Sequence, residues 1–205
     1  MRYNTIFNVP NERTKITYPW TWWDDWFTTE EIDKIIKHCS GEEREEAGTI
    51  GGPNKDIRIS KIKFYELNTD TQWIFEKLNS AITIINNRWY GFELNGYPAF
   101  QYTEYFAKEQ GKYDWHMDMC MGNDCPMDMI EPRKLSLVML LSEPGVDFEG
   151  GLFQVNMGQE QHAKIVDFKK GRIIAFPSWI LHRVTPVTEG IRRSLVVWCT
   201  GPKFV

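Results

Sequence analysis

Beyond Gly96 the sequence loses helical periodicity and breaks into short apolar, aromatic and β-branched runs separated by turn signals. The runs cover 100–106, 113–119, 135–141, 152–155, 163–168, 172–176, 182–187 and 194–200. Short strands at this spacing can bury their apolar faces in few ways, and they predict a double-stranded β-helix (jelly roll) or a barrel. One run narrows the choice further. Leu135-Ser136-Leu137-Val138-Met139-Leu140-Leu141 is apolar on both faces, so the sheet that contains it must be covered on its outside. The cover lies earlier in the chain. From about 70 to 89, Ile74, Leu78, Ala81, Ile82, Ile85 and Trp89 recur at three- and four-residue spacings and build one apolar helical stripe. The predicted fold is mainly β with flanking helices, the N-terminal helices packing on one sheet. It is read as one domain over 1–205, in which 1–98 supports a β-rich core at 99–205.

The first half holds three further elements. Thr28-Thr29-Glu30-Glu31 has the capping-box pattern and opens a helix with Ile32, Ile35 and Ile36 inward, running to about Cys39. The stretch 41–56, acidic and then Gly- and Pro-containing, predicts an exposed loop. Residues 57–64 alternate at period two and predict a strand with one wet face. The 24 basic residues fall short of the 28 acidic ones, which argues against a non-specific nucleic-acid binder. The first residues lack a signal-peptide apolar stretch, and no run is long enough to span a bilayer. The expectation is a cytoplasmic protein with free thiols, no membrane contact and an open oligomeric state.

Chemistry concentrates around the histidines. His116 and Asp118 sit two apart in a strand-like run, and in an extended chain such residues share a face. An imidazole and a carboxylate aimed into one space make two-thirds of a 2-His-1-carboxylate triad, which holds Fe(II) and leaves positions open. The third ligand must come from a distant strand, and His182 is the candidate. Pro186 and Gly190 define a turn, after which Arg192 enters the final strand, where Arg192, Ser194, Val196 and Trp198 share one face while Arg193 points the other way. An inward Arg is costly unless it meets an anion. Its fork matches a carboxylate, and the Ser194 hydroxyl can assist. One cavity is therefore predicted to hold an iron site and a carboxylate clamp. His38 and His162 lack partners at ligand spacing. Cys120 and Cys125 show no zinc spacing and read as free thiols. They lie in a Met-rich stretch, 117–129, able to line a plastic surface.

These motifs together carry a resemblance. Tyr105, Tyr113, His116-Met117-Asp118, Leu135-Ser136-Leu137-Val138, Glu149-Gly150-Gly151-Leu152, Gly171-Arg172-Ile173-Ile174-Ala175-Phe176 and the stretch from His182 to Trp198 occur in a fixed order. The segment from about 101 to 202 resembles the catalytic domain of Fe(II)/2-oxoglutarate-dependent dioxygenases, most of all the prolyl 4-hydroxylase branch. The resemblance implies an oxidoreductase with iron on His116, Asp118 and His182, and Arg192 on the distal carboxylate of 2-oxoglutarate. It implies O2 as co-reactant, succinate and CO2 as products, and ascorbate as reductant. Tyr105 and Tyr113 resemble tyrosines at the cosubstrate and substrate ends of the cavity, although strict alternation puts Tyr113 opposite His116. Arg58 resembles an Arg-x-Ser at the edge of related peptide sites, with a solvated strand face as the alternative. Trp198 is read as substrate-pocket wall or as core.

The implied partner is a peptide or protein containing Pro. The loops 41–56 and 120–131 would flank the cleft, and whether they close over it stays open. Hydroxylation of a free amino acid or small metabolite is the alternative. A nucleobase demethylase fits less well, because His182 and Arg192 are close in sequence and the net charge is negative. A metal-free jelly-roll binding module is disfavoured by the intact ligand set.

Overall fold

Thr28 opens the first helix as its pattern predicts. Its hydroxyl accepts from the Glu31 N–H at 3.2 Å, and the Glu31 carboxylate accepts from the Thr28 N–H at 2.8 Å. The computed structural model describes residues 18–49, 52, 54–119, 131–158 and 162–203. In chain order these residues form β1 (Thr21–Trp23), α1 (Thr29–Ser40), β2 (Glu45–Glu46), β3 (Arg58–Ile59), β4 (Lys61–Glu66) and α2 (Gln72–Ile85), which runs on into a π-helical turn, Asn86–Tyr90. Then come β5 (Ala99–Phe106), β6 (Lys112–His116), β7 (Arg133–Leu140), β8 (Phe148–Gly150) and β9 (Phe153–Asn156). The last are β10 (Lys164–Ile165), β11 (Ile173–Pro177), β12 (Leu181–Val184) and β13 (Val187–Thr200).

The strands make two antiparallel sheets in a jelly-roll arrangement. The larger has the order β1-β11-β7-β13-β5-β4-β2, with β8 on β13, and the smaller β10-β9-β12-β6-β3. The doubly apolar run becomes β7, near the middle of the larger sheet. Leu135, Leu137 and Met139 meet the helices, packed with Ile32 and Ile35 of α1 and with Ile74, Leu78 and Ile85 of α2. Val138 and Leu140 face the smaller sheet, packed with Phe153, Val155, Ile174 and Phe176. The larger sheet thus separates two cores, and α1 shares the cover with the longer helix.

Several local expectations need correction. The helix expected over 70–89 is α-helical only to Ile85, its last turn widening to π geometry and ending on Gly91 at φ 66°. Residues 57–64 are two strands. The chain breaks at Ser60, so β3 joins the smaller sheet and β4 the larger. A wet face on each half mimics one continuous alternation. The segment 41–56 is tied down in part: β2 pairs with β4, Ala47 is buried, and Arg44 Nε lies 2.9 Å from Glu104 Oε2. The turn expected between Pro186 and Gly190 is strand, β13 starting at Val187. Gly190, at φ 68°, sits in an irregular pairing with β8, where a Cβ would come within 2.0 Å of the Asp147 carbonyl oxygen. That close approach requires glycine, so the residue marks a bulge rather than a turn. Cys120, Cys125 and the stretch 121–129 lie outside the described residues. Cys39 and Cys199 are buried free thiols.

Candidate metal centre

β6 and β12 are neighbours in the smaller sheet, and His182 pairs directly with His116. Asp118 follows the end of β6, where the Asp118 and Met119 N–H groups donate to the Ser178 carbonyl at 2.9 and 3.0 Å. The turn between β11 and β12 therefore fixes Asp118, and its Ile180 carbonyl accepts from His182 Nδ1 at 2.8 Å. His116 Nδ1 donates to the Asp114 carbonyl at 2.7 Å. A carbonyl can only accept, so each ring carries a proton on Nδ1, which leaves Nε2 as the atom turned to Asp118. Both Nε2 atoms lie 3.7 Å from an Asp118 oxygen, and the three ligand atoms fall within 4.8 Å of one another.

The electrostatics suit a cation. Burial, reinforced by His182, pulls the His116 imidazole down to about 3, so it is neutral at physiological pH. Burial pushes the Asp118 carboxyl upward, but the two imidazoles and the Ser136 hydroxyl outweigh it and hold the group below its ordinary value. One carboxylate and two imidazoles form a donor set that a divalent transition metal takes up.

The triad opens into a cavity lined by Tyr105, Tyr113, Phe153, Arg192, Ser194 and Trp198, among others. Arg192 is 1% exposed. Its Nη1 lies 3.4 Å from the Ser194 hydroxyl, and its Nε and Nη2 are buried with no acceptor among the described residues. Burial lowers this guanidinium to about 10, and the Tyr105 ring lies 5.4 Å away. Two orphaned donors on a buried cation fit an absent carboxylate. Gly151 makes room for it: at φ 55°, a Cβ there would stand 2.9 Å from Arg192 Cδ. Arg193 points away and bonds Glu104 at 3.0 Å, as alternation along β13 predicts.

Tyr113 lies on the face that strict alternation denies it. The pairing of β12 with β6 slips between His182 and Val184, so two steps on β12 oppose three on β6. The bulge turns Tyr113 to the His116 side, and the rings stack with centroids 3.4 Å apart. Burial raises the Tyr113 phenol to about 12 against the pull of Arg58 and Arg133. Arg58 is buried rather than on a solvated face, with its guanidinium 4.5 Å over the Tyr113 ring. His162 is exposed and His38 lies against Tyr65, both away from the triad. Sequence reasoning missed Gln101, which lines the cavity and donates to Thr103. It also missed Arg133, which reaches the Asp118 carbonyl at 3.4 Å. The Gln101, Thr103, Tyr105 alternation could have found the first, whereas Arg133 has the parity of Leu135 and reaches the site only through the register shift between β7 and β13.

A family model described as the 2OG-Fe(II) oxygenase superfamily matches residues 100–200. The chain is 34% identical over 86 residues to the PKHD-type hydroxylase YbiX of Escherichia coli O6:K15:H31 (strain 536 / UPEC), covering 42% of this chain and 36% of that protein. It is 31% identical over 105 residues to the PKHD-type hydroxylase Shewmr7_0698 of Shewanella sp. (strain MR-7), covering 49% and 44%. The chain thus spans less than half the length of these relatives. Among solved structures, a Pseudomonas putida prolyl-4-hydroxylase superposes with TM-score 0.70 at 19% identity, covering 90% of this chain and 94% of that one. A Trichoplax adhaerens prolyl hydroxylase, solved with a hypoxia inducible factor peptide fragment, gives 0.71 at 16%, covering 90% and 84%. Both likenesses concern the fold.

Proposed function

The chain belongs, through residues 100–200, to the 2OG-Fe(II) oxygenase superfamily, and we propose that it hydroxylates prolyl residues in a peptide or protein. The observation that carries the reading is one buried cavity joining a His-Asp-His cluster to an Arg192 that lacks an anion. In this reading His116, Asp118 and His182 hold Fe(II), while Arg192, Ser194 and Tyr105 hold the far carboxylate of 2-oxoglutarate. With O2, the bound iron and cosubstrate supply the oxidising power for an unactivated C–H bond, 2-oxoglutarate leaving as succinate and CO2. Ascorbate is the proposed reductant. The protein's own share is positional. The Asp114 and Ile180 carbonyls lock both imidazoles, the guanidinium fixes the cosubstrate's orientation, and Phe153, Val138 and Val184 exclude water. Tyr113, Trp198 and Arg58 would form the substrate side.

The prolyl substrate draws support from the peptide-bound structural neighbour and from the aromatic wall of Tyr113 and Trp198. The test is mass spectrometry of proline-containing peptides incubated with the protein, Fe(II), 2-oxoglutarate and ascorbate. The expected result is one added oxygen on Pro; cosubstrate turnover without peptide oxidation would overturn the prolyl assignment. A free amino acid or small metabolite is the second reading, favoured by buried charge in the cavity wall.

A further inference from the structure

The charge of the cavity wall runs against the charge of the chain. The sequence has a formal net charge of −4, yet the described lining carries two guanidiniums, Arg58 and Arg192, and one carboxylate, Asp118. Asp118 is turned to the two imidazoles, and Arg192 belongs to the cosubstrate end. Arg58 is left. It is 7% exposed, its Nε donates to the Ser60 hydroxyl at 2.9 Å, and its Nη1 reaches the Gly48 carbonyl at 3.3 Å. Both partners are neutral, and among the described residues no carboxylate forms an ion pair with it. A buried cation held only by neutral acceptors keeps most of its desolvation cost.

Two neighbours sharpen the case. Arg133 lies 4.2 Å from the Trp198 ring, reaches the Asp118 carbonyl at 3.4 Å and has the Asp118 carboxylate as its counter-charge. On the cavity wall the Trp198 indole N–H is buried with no acceptor among the described residues. This arm of the cavity therefore offers the Arg58 guanidinium and an orphaned donor, with Arg133 behind Trp198 and outside the lining, a set that matches a carboxylate.

We infer that Arg58 and the Trp198 N–H, backed by the positive charge of Arg133 behind the Trp198 ring, bind a carboxylate of the prime substrate, so that the substrate is anionic close to the carbon that is oxidised. The closeness follows from the stack: Arg58 rests on Tyr113, and Tyr113 rests on His116. The inference rests on the hydroxylase reading and narrows its substrate class. The carboxylate has two sources, the free acid of an amino acid or an acidic side chain beside the target residue in a peptide.

The experiment separates these sources. Without O2, and with Fe(II) and 2-oxoglutarate added, the full chain is titrated with two matched pairs. One pair is L-proline against L-prolinamide; the other is N-acetyl-Pro-Asp-amide against N-acetyl-Pro-Asn-amide. The expected result is binding of the carboxylate member at least ~10-fold tighter in one pair, which names the source. Arg58→Gln should bring that ratio close to one, Arg58→Lys should retain part of it, and Arg133→Gln should reduce it. Binding of 2-oxoglutarate, read in the same samples, should stay within about twofold in the Arg58 variants and reports that they are folded. Absence of a carboxylate preference in both pairs overturns the inference. So does a preference that survives Arg58→Gln and Arg133→Gln combined. Failure of the wild-type protein to bind Fe(II) and 2-oxoglutarate is seen before any probe is added; it defeats the hydroxylase reading and takes the inference with it.

Discussion

Arg192 and Arg193 are adjacent, and their surroundings separate binding from stability. Removing one partner of a desolvated ion pair costs on the order of 2–5 kcal/mol. Arg192→Ala should accordingly raise the 2-oxoglutarate dissociation constant by roughly one and a half to three and a half decades. Arg192→Lys should fall between, since an ammonium lacks the fork. Arg193→Ala should leave that constant nearly unchanged but cost about 1–3 kcal/mol of stability, because Glu104, 1% exposed, would keep only Arg44 as cationic partner. Calorimetric titration beside urea denaturation checks both; a cosubstrate defect confined to Arg193→Ala would reverse the strand register. Gly151→Ala should weaken 2-oxoglutarate binding through the added methyl, which meets both a left-handed backbone and Arg192 Cδ. The positions of Arg192 and Arg193 were legible because β13 alternates without interruption past Gly190. The position of Tyr113 was not, because a bulge between paired strands leaves no mark in the sequence of one of them.

At the scale of elements, strand existence was legible and strand membership was not. Period-two alternation reports that a face is buried, but not against which sheet, which is why 57–64 reads as one strand and folds as two. Long-range ion pairs are equally silent in sequence. Arg172, just before β11, grips Asp24, just after β1, through Nε–Oδ1 at 2.7 Å and Nη2–Oδ2 at 2.9 Å. The bond from Arg172 is the main reason the Asp24 carboxyl lies below its ordinary value. A depressed folded-state pKa stabilises at pH above the unfolded value, and the contribution disappears as pH falls through the folded one. Asp24→Asn should therefore cost on the order of 1 kcal/mol near neutrality, the site being partly exposed, and nothing in strong acid. Urea midpoints from pH 7 down to pH 2 check the sign; a variant deficit that grew on acidification would refute it.

Across the whole molecule, the larger sheet divides labour between its faces. Its helix side packs α1 and α2 over β7 and β13, and its inner side packs Phe153 and Phe176 around the cavity. The sequence announced this division through β7, apolar on both faces, and through the stripe on α2. The triad was legible because His116 and Asp118 are near in sequence and the last ligand follows a recognisable run. The cationic arm was hidden, because Arg58 and Arg133 meet the site only after three strands assemble. The two cores should respond differently to truncation. Ile85, fully buried on the inward face of α2, belongs to the helix-side core and not to the cavity lining, so Ile85→Ala should cost about 2–4 kcal/mol and leave iron and 2-oxoglutarate affinities of the folded protein unchanged. Phe176, equally buried, has its ring 4.6 Å from the His182 imidazole. Phe176→Ala should cost about 3–5 kcal/mol and weaken metal binding as well, because the cavity it leaves frees a ligand ring to turn. Metal titration of both variants, well below their unfolding transitions, distinguishes them; equal metal affinity would mean that the inner core does not position the site.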